Sequence, residues 1–484
     1  MNSNQLFTFL VIGAISLGSA QNLPFPQNKT FANFLKPNHK TSTVLASEVK
    51  LAYGDWKSKY VKKSNGTTPG GGFYVNMKGV GGNGTEITTS EAHGYGMITF
   101  ALMAGADDSA KIYLDGMVNM YDKHRSVSNN LNMSWVISTS ESQADNSSGA
   151  TDGDMDIAYA LLLANDQWGS GGSWNYKKMA DSLIQFGIKG SSVSLTTKRT
   201  LAGDWASDQF GTRSSDWMAD HFKAFATATK DVFWTQARDT AYSLATQIQK
   251  NYSPKTGLLP DFMAGEIIAP DSKGAGTGEP NADQFSWNGC RFPWRFATDF
   301  AHYGSPQSKA ILSPFLSWAK TKTANIPTKF QSGYKLDGTV LSTGTSAAFI
   351  SPLITALATD PTSQTLVNNG WDWMAKWRVN YYDDSINLLN LLLLSGNWWA
   401  PGSNQTATLQ LNKKQLISVA NNHNFIKTEL TEIGTWTLSN VLGQNIESGA
   451  GSLGQINWSK PLRNGIYVLD IQGNVHSVIS FQVF

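Results

Sequence analysis

Ser90-Glu-Ala-His-Gly-Tyr-Gly-Met97 opens a run of small and apolar residues that reaches Ala104. Apolar positions recurring at spacings of three and four predict a core helix over Ala92–Ala104. A carboxylate at the head of such a helix has two explanations. Thr88 and Glu91 fit the T-x-x-E capping box, in which the acid serves only the helix N-terminus. Alternatively, Gly94 and Gly96 remove side chains so that backbone and ligand can approach each other beside Glu91.

Composition narrows the field. A chain of 484 residues that is 41% hydrophobic can bury a large core and carry more than one domain. Charged residues make up 15% and the formal net charge is +2, so no strong field recruits nucleic acid or an anionic membrane. Cys290 is the single cysteine, which rules out a disulfide framework and a cysteine-bound zinc. The seven histidines have no metal-like spacing, so no metal and no other cofactor is expected. Seventeen tryptophans, 15 tyrosines and 44 glycines are the unusual counts. Flat indole faces suit the apolar faces of sugar rings, and they equally suit a tryptophan-rich core. Composition leaves both open.

Leu6–Leu17 is an apolar run too short to span a bilayer, and Gly18-Ser19-Ala20 behind it has the small residues of a cleavage site. Residues 1–20 therefore read as a secretory signal peptide, although Met1–Gln5 carries no Lys or Arg. No other segment reads as membrane-spanning. The expected product is soluble, and secreted or displayed at a bacterial cell surface.

From about residue 40 to 400 the pattern is mainly helical. Helices are predicted at Ala92–Ala104, Met155–Ala164, Lys177–Phe186, Trp217–Ala228, Val232–Gln249, Phe292–Tyr303, Ser308–Lys320 and Ile386–Leu394. Long Gly/Ser/Asn/Trp-rich stretches such as Ser64–Gly84 and Gly265–Gly289 lie between them, and loops of that length are usually functional. Many amphipathic helices joined by long polar loops suggest a helical barrel or toroid whose loops build a cleft. The texture changes after Pro401. Gly434–Gly443, Gly465–Gln472 and Val478–Phe484 are short, β-branched and aromatic, with Gly/Asn turns between them. The expected domains are thus 21–402, mainly α, and 403–484, a small β-sandwich-like module behind the linker Pro401–Thr408.

Three further blocks hold polar residues suited to chemistry. Ala150-Thr-Asp-Gly-Asp-Met-Asp-Ile-Ala-Tyr-Ala-Leu-Leu-Leu-Ala164 carries three acids at alternate positions, of which Asp152 fits a helix N-terminus accepting backbone N–H groups. Trp287-Asn-Gly-Cys-Arg-Phe-Pro-Trp-Arg-Phe-Ala-Thr-Asp299 places Pro293 in a first helical turn and allows an i,i+4 pair between Arg295 and Asp299. The third is Thr212–Phe225.

With "SEAHGYGM", these blocks resemble glycoside hydrolase family 8, the inverting β-1,4-glycanases that include cellulases, licheninases, xylanases and chitosanases. The likeness covers roughly residues 40–400 and implies an (α/α)6 barrel with its cleft at one end. It implies Glu91 as the general acid, Asp152 as the acid that grips and distorts the sugar at the cleavage point, Arg291 as the arginine that follows the site and Trp287 as an aromatic platform. Trp135 is a further candidate to bind substrate. Such an enzyme needs one protonated carboxyl at the leaving oxygen and one carboxylate activating water, roughly 6.5–9.5 Å away. A glutamic acid in a partly desolvated, aromatic-walled cleft has its pKa raised for the first role.

One departure matters. In the best-known branch of the family the base is an aspartate at the position held here by Asn288, and an amide cannot take a proton from water. A second branch, with chitosanases and some glucanases, is similar to this sequence in having asparagine there, and supplies a glutamate from an inserted loop. Gly265–Phe285 is such a loop, and Glu279 in "GTGEPNADQF" is its best candidate, ahead of Glu266 and Asp283. The expected function is endo-acting, inverting hydrolysis of a β-1,4-linked polysaccharide, either glucan or chitosan. Chitosan, a polycation, would call for extra cleft carboxylates, for which Asp145, Asp204 and Asp208 are available. The alternative is a non-catalytic polysaccharide-binding protein on the same barrel with its base lost. For the C-terminal module, "NGIYVLDIQG" resembles the sorting domains bacteria use for outer-membrane secretion, which makes secretion machinery a possible partner. A carbohydrate-binding module using Trp436 or Trp458 is the other reading.

Overall fold

The computed structural model describes residues 21–77, 85–142 and 147–402, and beyond these 425–427, 435–440, 444–450, 455–459, 462, 465–472 and 477–483. The expected signal segment and Asp145 lie outside the described residues, as does most of the linker. The chain divides into two compact units, Met1–Asn404 and Gln405–Phe484.

Twelve α-helices occur among the described residues of the first unit, and they alternate in character. Six bury one stripe and leave the rest wet: α1 (Ser42–Tyr60), α3 (Ala110–Lys123), α5 (Tyr176–Ser182), α7 (Val232–Tyr252), α9 (Pro306–Lys322) and α11 (Gln364–Met374). The intervening ones are α2 (Ser90–Met103), α4 (Thr151–Trp168), α6 (Ala219–Thr229), α8 (Phe292–Tyr303), α10 (Ala347–Leu357) and α12 (Tyr381–Leu394). These are buried over most of their surface, as their small and apolar sequences require. Each inner helix packs on the next, and α12 packs back on α2, closing a ring. This is an (α/α)6 barrel.

Of the helices that periodicity predicts, the structure shifts boundaries and breaks one. Lys177–Phe186 is α-helical only to Ser182 and continues as a π turn over Leu183–Ile188. The helices α1, α3, α10 and α11 were not among the predicted set.

Glycines set the inner spacing. A Cβ on Gly94 would lie 2.5 Å from the Asp156 Cβ, one on Gly96 would strike Met117 and Val75, and one on Gly153 would overlap Ser90. The two glycines behind Glu91 thus admit neighbouring protein, not a ligand. That corrects the expectation that they clear space for the sugar. The reason is burial: Gly94 packs on α4, and Gly96 on α3 and β2 (Phe73–Val75).

Short strands lead the chain into the inner helices. Antiparallel β1 (Val61–Lys63) and β2 (Phe73–Val75) pair, as do β3 (Glu86–Thr89) and β4 (Val136–Ser138), with Thr89 opposite Val136. A three-stranded set follows, β5 (Thr212–Arg213), β6 (Phe262–Ala264) and β7 (Ala269–Pro270), with β6 central.

The second unit contains an antiparallel four-stranded sheet in the order β10-β9-β12-β13, formed by β9 (Thr435–Asn440), β10 (Asn445–Ala450), β12 (Gly465–Gln472) and β13 (Ser477–Val483). A separate pair joins β8 (Phe425–Lys427) to β11 (Gln455–Asn457). Trp436 and Trp458 are both 5% exposed, so neither offers a face to a sugar ring.

Candidate active site

Every residue of α2 except Glu91 is buried. Strand β3 delivers the helix start, where the Thr89 side chain, not that of Thr88, accepts the Ala92 N–H (3.2 Å). The capping box that Thr88 and Glu91 would allow, the first of the two explanations, therefore does not form. The Glu91 carboxylate points instead to Arg291, whose Nη1 donates to Oε2 at 2.5 Å, while the Tyr381 hydroxyl donates to Oε1 at 3.2 Å. A guanidinium is a stronger partner for a carboxylate than a backbone amide.

Arg291, at the head of α8, is the hub. Besides Glu91, its Nη1 donates to Asp152 Oδ2 (2.9 Å) and to the Tyr95 hydroxyl (3.2 Å), and its Nη2 donates to Asn288 Oδ1 (2.7 Å). Asp152, in the first turn of α4, accepts the Gly153 N–H at 2.9 Å and pairs with Arg213 at 2.9 Å. Arg213 in turn meets Asp216, just ahead of α6, at 3.1 Å. The starts of α2, α4, α6, α8 and α12 thus meet in one polar cluster.

The two carboxyls beside Arg291 are driven apart. Burial pushes Glu91 up to about 7, and the charge of Asp152 adds to this against the pull of Arg291, Arg213 and the Tyr381 hydroxyl. For Asp152 burial acts the same way, but Arg213, Arg291 and the Gly153 amide outweigh it and hold the carboxyl well below its usual range. One acid is poised to carry a proton near neutrality and its neighbour stays ionised, the pattern that separates acid from stabiliser in a pair of carboxyls.

Glu279 is half-buried, and its Oε2 accepts the Asn288 Nδ2 at 2.7 Å. A continuous set of hydrogen bonds therefore runs from Glu279 through Asn288 and Arg291 to Glu91. Of the other loop acids, Glu266 is exposed in the turn between β6 and β7, and neither it nor Asp283 bonds to Asn288. Asp261, which sequence reasoning did not single out, lies buried behind Asn288 and accepts the N–H groups of Ser286 (2.7 Å), Asn288 (3.0 Å) and Gly289 (2.6 Å). Burial pushes it up to about 7 against those three amides.

The tryptophans split between the two readings left open by composition. Trp56, Trp217, Trp234, Trp294, Trp371, Trp398 and Trp399 are fully buried core. The exposed ones among the described residues are Trp135 (44%), Trp205 (42%) and Trp287 (47%). Trp287 stands edge-on to Phe349 of α10 at 5.0 Å. The Trp135 carbonyl accepts the Ser90 N–H, which sets this exposed residue beside the α2 start. Trp205 flanks Gly203 and Gly276 and was missed, as were Arg213 and Tyr381. The sequence signal for Arg213 was available in the Thr212–Phe225 block. Tyr381 is 290 residues from Glu91, and nothing local marks it.

Two expectations fail. Arg295 does not pair with Asp299. It makes two bonds to Asp156 (2.9 and 2.7 Å), while Asp299 takes Arg238, Tyr242 and Ser308. Side chains four apart on α8 meet different helices: Arg295 turns inward to α4, and Asp299 turns outward to α7 and α9. Asp204, offered as a cleft carboxylate, is occupied by Ser126 (2.6 Å), Asn132 (3.1 Å) and the Gly149 N–H (2.7 Å). Asp208 accepts the Phe210 N–H at 2.9 Å.

A helical barrel whose inner helix starts converge on carboxyls, rimmed by tryptophans, is the architecture of a glycoside hydrolase, and the comparisons agree: this chain is one. Residues 23–396 match the model for glycosyl hydrolases family 8, and the chain belongs to that family. It is 41% identical over 382 residues to an endoglucanase of Bacillus sp. (strain KSM-330), covering 78% of this chain and 82% of that one. It is 39% identical over 398 residues to a beta-glucanase of Niallia circulans, covering 81% and 95%. Among solved structures, the apo β-1,3-1,4-glucanase from Paenibacillus sp. X4 superposes with a TM-score of 0.74 at 38% identity, over 79% of this chain and 100% of that one. A family 8 xylobiose complex from Teredinibacter turnerae has a TM-score of 0.64 at 19% identity, covering 75% of this chain and 95% of that one, and shares the fold.

Proposed function

We propose that this chain is an endo-acting, inverting β-glucanase that cleaves β-1,4 linkages in a neutral glucan, cellulosic or mixed-linkage, with Glu91 as general acid and Glu279 as general base. The observation that carries the reading is the bond from Asn288 Nδ2 to Glu279 Oε2 (2.7 Å), in a set of contacts that ends on Glu91. Asn288 then has a use that an amide can fulfil: it presents a carboxylate instead of being one. In the reaction, Glu279 takes a proton from water as the water oxygen attacks the anomeric carbon. Glu91 protonates the departing glycosidic oxygen on the opposite side, and the anomeric configuration inverts. Asp152, kept ionised by Arg213 and Arg291 and 2% exposed, suits electrostatic stabilisation of the sugar that acquires positive charge. Trp135, Trp205 and Trp287 suit stacking along the chain of sugars.

A neutral substrate is favoured over chitosan because the Asp204 carboxylate is engaged by Ser126, Asn132 and the Gly149 amide, and because the relatives named above are glucanases. Reducing-end release on carboxymethyl-cellulose, mixed-linkage glucan, chitosan and xylan, with the product anomer followed by NMR, tests the proposal. An α-anomer from a glucan is expected, and faster release from chitosan than from any glucan would overturn the substrate. Glu91→Gln and Glu279→Gln should each lower kcat by about 10²- to 10⁴-fold with polymer binding retained. Full turnover in Glu279→Gln would move the base elsewhere.

We also propose export, on the strength of residues 6–20, with the C-terminal unit serving secretion instead of adhesion because Trp436 and Trp458 are buried. Deletion of 405–484 should then abolish release from the cell and leave adhesion to glucan intact.

A further inference from the structure

The turn Gly289–Arg291 that leads into α8 exposes backbone N–H groups needing acceptors. Asparagine is a favoured residue for that duty, and Asn288 stands at the N-cap position, yet its side chain makes no capping bond. The acceptor comes from far upstream. Asp261 Oδ1 takes the N–H groups of Ser286 and Gly289, and Oδ2 takes that of Asn288. Relieved of capping, the Asn288 side chain spans the site: its Oδ1 accepts Arg291 Nη2 at 2.7 Å, and its Nδ2 donates to Glu279.

We propose that Asp261 is a positioning residue for the base: by capping the lead-in turn of α8 from the bend just ahead of β6, it releases the Asn288 amide to hold Glu279 against the cleft. This rests on the reading of Glu279 as the base. Three observations support it. Asp261 is 2% exposed, so it acts through its neighbours and not on substrate. Its own backbone is pinned, with its N–H on the Gln284 carbonyl at 2.7 Å and its carbonyl taking the Ser214 N–H at 3.1 Å. A Cβ on Gly289 would lie 2.9 Å from Asp261 Oδ1 and 2.8 Å from the Leu259 carbonyl, so the contact requires glycine there.

The test is a double-mutant cycle on the full chain with mixed-linkage glucan as substrate. Asp261→Asn turns an amide NH2 toward the Asn288 N–H and should lower kcat on the order of 10²-fold with KM little changed. Asn288→Ala should do the same, and the double variant should be no slower than the slower single one, because both act on one placement. Parent kcat in Asp261→Asn, or losses that multiply in the double variant, would show a role confined to the fold. If Asp261→Asn gives no cooperative melt, Gly289→Ala perturbs the same contact from the other side and must show the same non-additivity with Asn288→Ala. Glu279→Gln, run alongside, reads the base assignment separately. Full turnover there overturns that assignment and this inference with it, whereas an inactive Glu279→Gln with multiplying losses in the cycle overturns only the part given to Asp261.

Discussion

At the scale of single residues, Glu91, as the proposed general acid, has to keep its proton until the leaving oxygen needs it. Burial pushes the carboxyl up to about 7 from an ordinary value of 4.5 even though Arg291 touches it. A general acid works only while protonated, so kcat/KM should fall on the alkaline side with a midpoint near 7. A profile flat to pH 9 would contradict this. The same shift has a sign in stability. Between pH 4.5 and 7 the folded protein holds a proton that the unfolded chain has lost, so this group's contribution falls as pH rises through that window and stays low above it. Glu91→Gln, which mimics the protonated form, should melt above the parent at pH 8, with the gap closing toward pH 4.5. A gap independent of pH would argue against the shift. The motif around Glu91 was legible in the sequence, and so was the reason to propose a base other than Asn288. The ring of partners was not. Arg291, Asp152, Arg213 and Tyr381 are separated by tens to hundreds of residues, and no local period brings them together.

At the scale of elements, the inner helices are held apart by backbone and small side chains, so their glycines are spacers. Alanine is favoured over glycine in a helix by about 1 kcal/mol, yet at Gly94 the new methyl would lie 2.5 Å from the Asp156 Cβ, which cannot swing away as a side-chain tip can. Overpacking of this kind costs about 1–3 kcal/mol, so Gly94→Ala should show a lower denaturant midpoint despite the better propensity. It should also lower kcat, since α2 and α4 carry Glu91 and Asp152. A Gly94→Ala protein as stable and active as the parent would mean that the two helices have slack. Periodicity found most inner helices because their apolar runs are long. It passed over outer helices such as α1 and α3, where about half of each turn is wet and the pattern is diluted. It also missed that Arg295 turns inward to α4 and Asp299 outward to α7 and α9, because i,i+4 spacing says which residues share a face and nothing about what that face meets.

At the scale of the whole molecule, the barrel gathers the starts of its inner helices at one end. Each helix N-terminus carries about half a positive charge, which favours an ionised carboxylate at both Glu91 and Asp152; the two are separated because Arg213 and Arg291 together hold Asp152 ionised, whereas at Glu91 desolvation outweighs the pull of Arg291. Because the first unit is compact by itself, residues 21–404 expressed alone should melt cooperatively and turn over soluble mixed-linkage glucan with the kcat of the full chain. Loss of most of that activity would show that the barrel depends on the second unit. Among the described residues no helix is long and apolar enough to cross a membrane.

What the sequence determined by itself was the helical class, the change of texture near residue 400 and the acids worth testing, because apolar periodicity and short polar motifs are local properties of the chain. Only the tertiary structure decided which partner each acid meets, why the glycines behind Glu91 are there, and that Asp261 caps a turn more than twenty residues away. Those are contacts between segments distant in sequence, selected by the closing of the ring and not by any spacing along the chain.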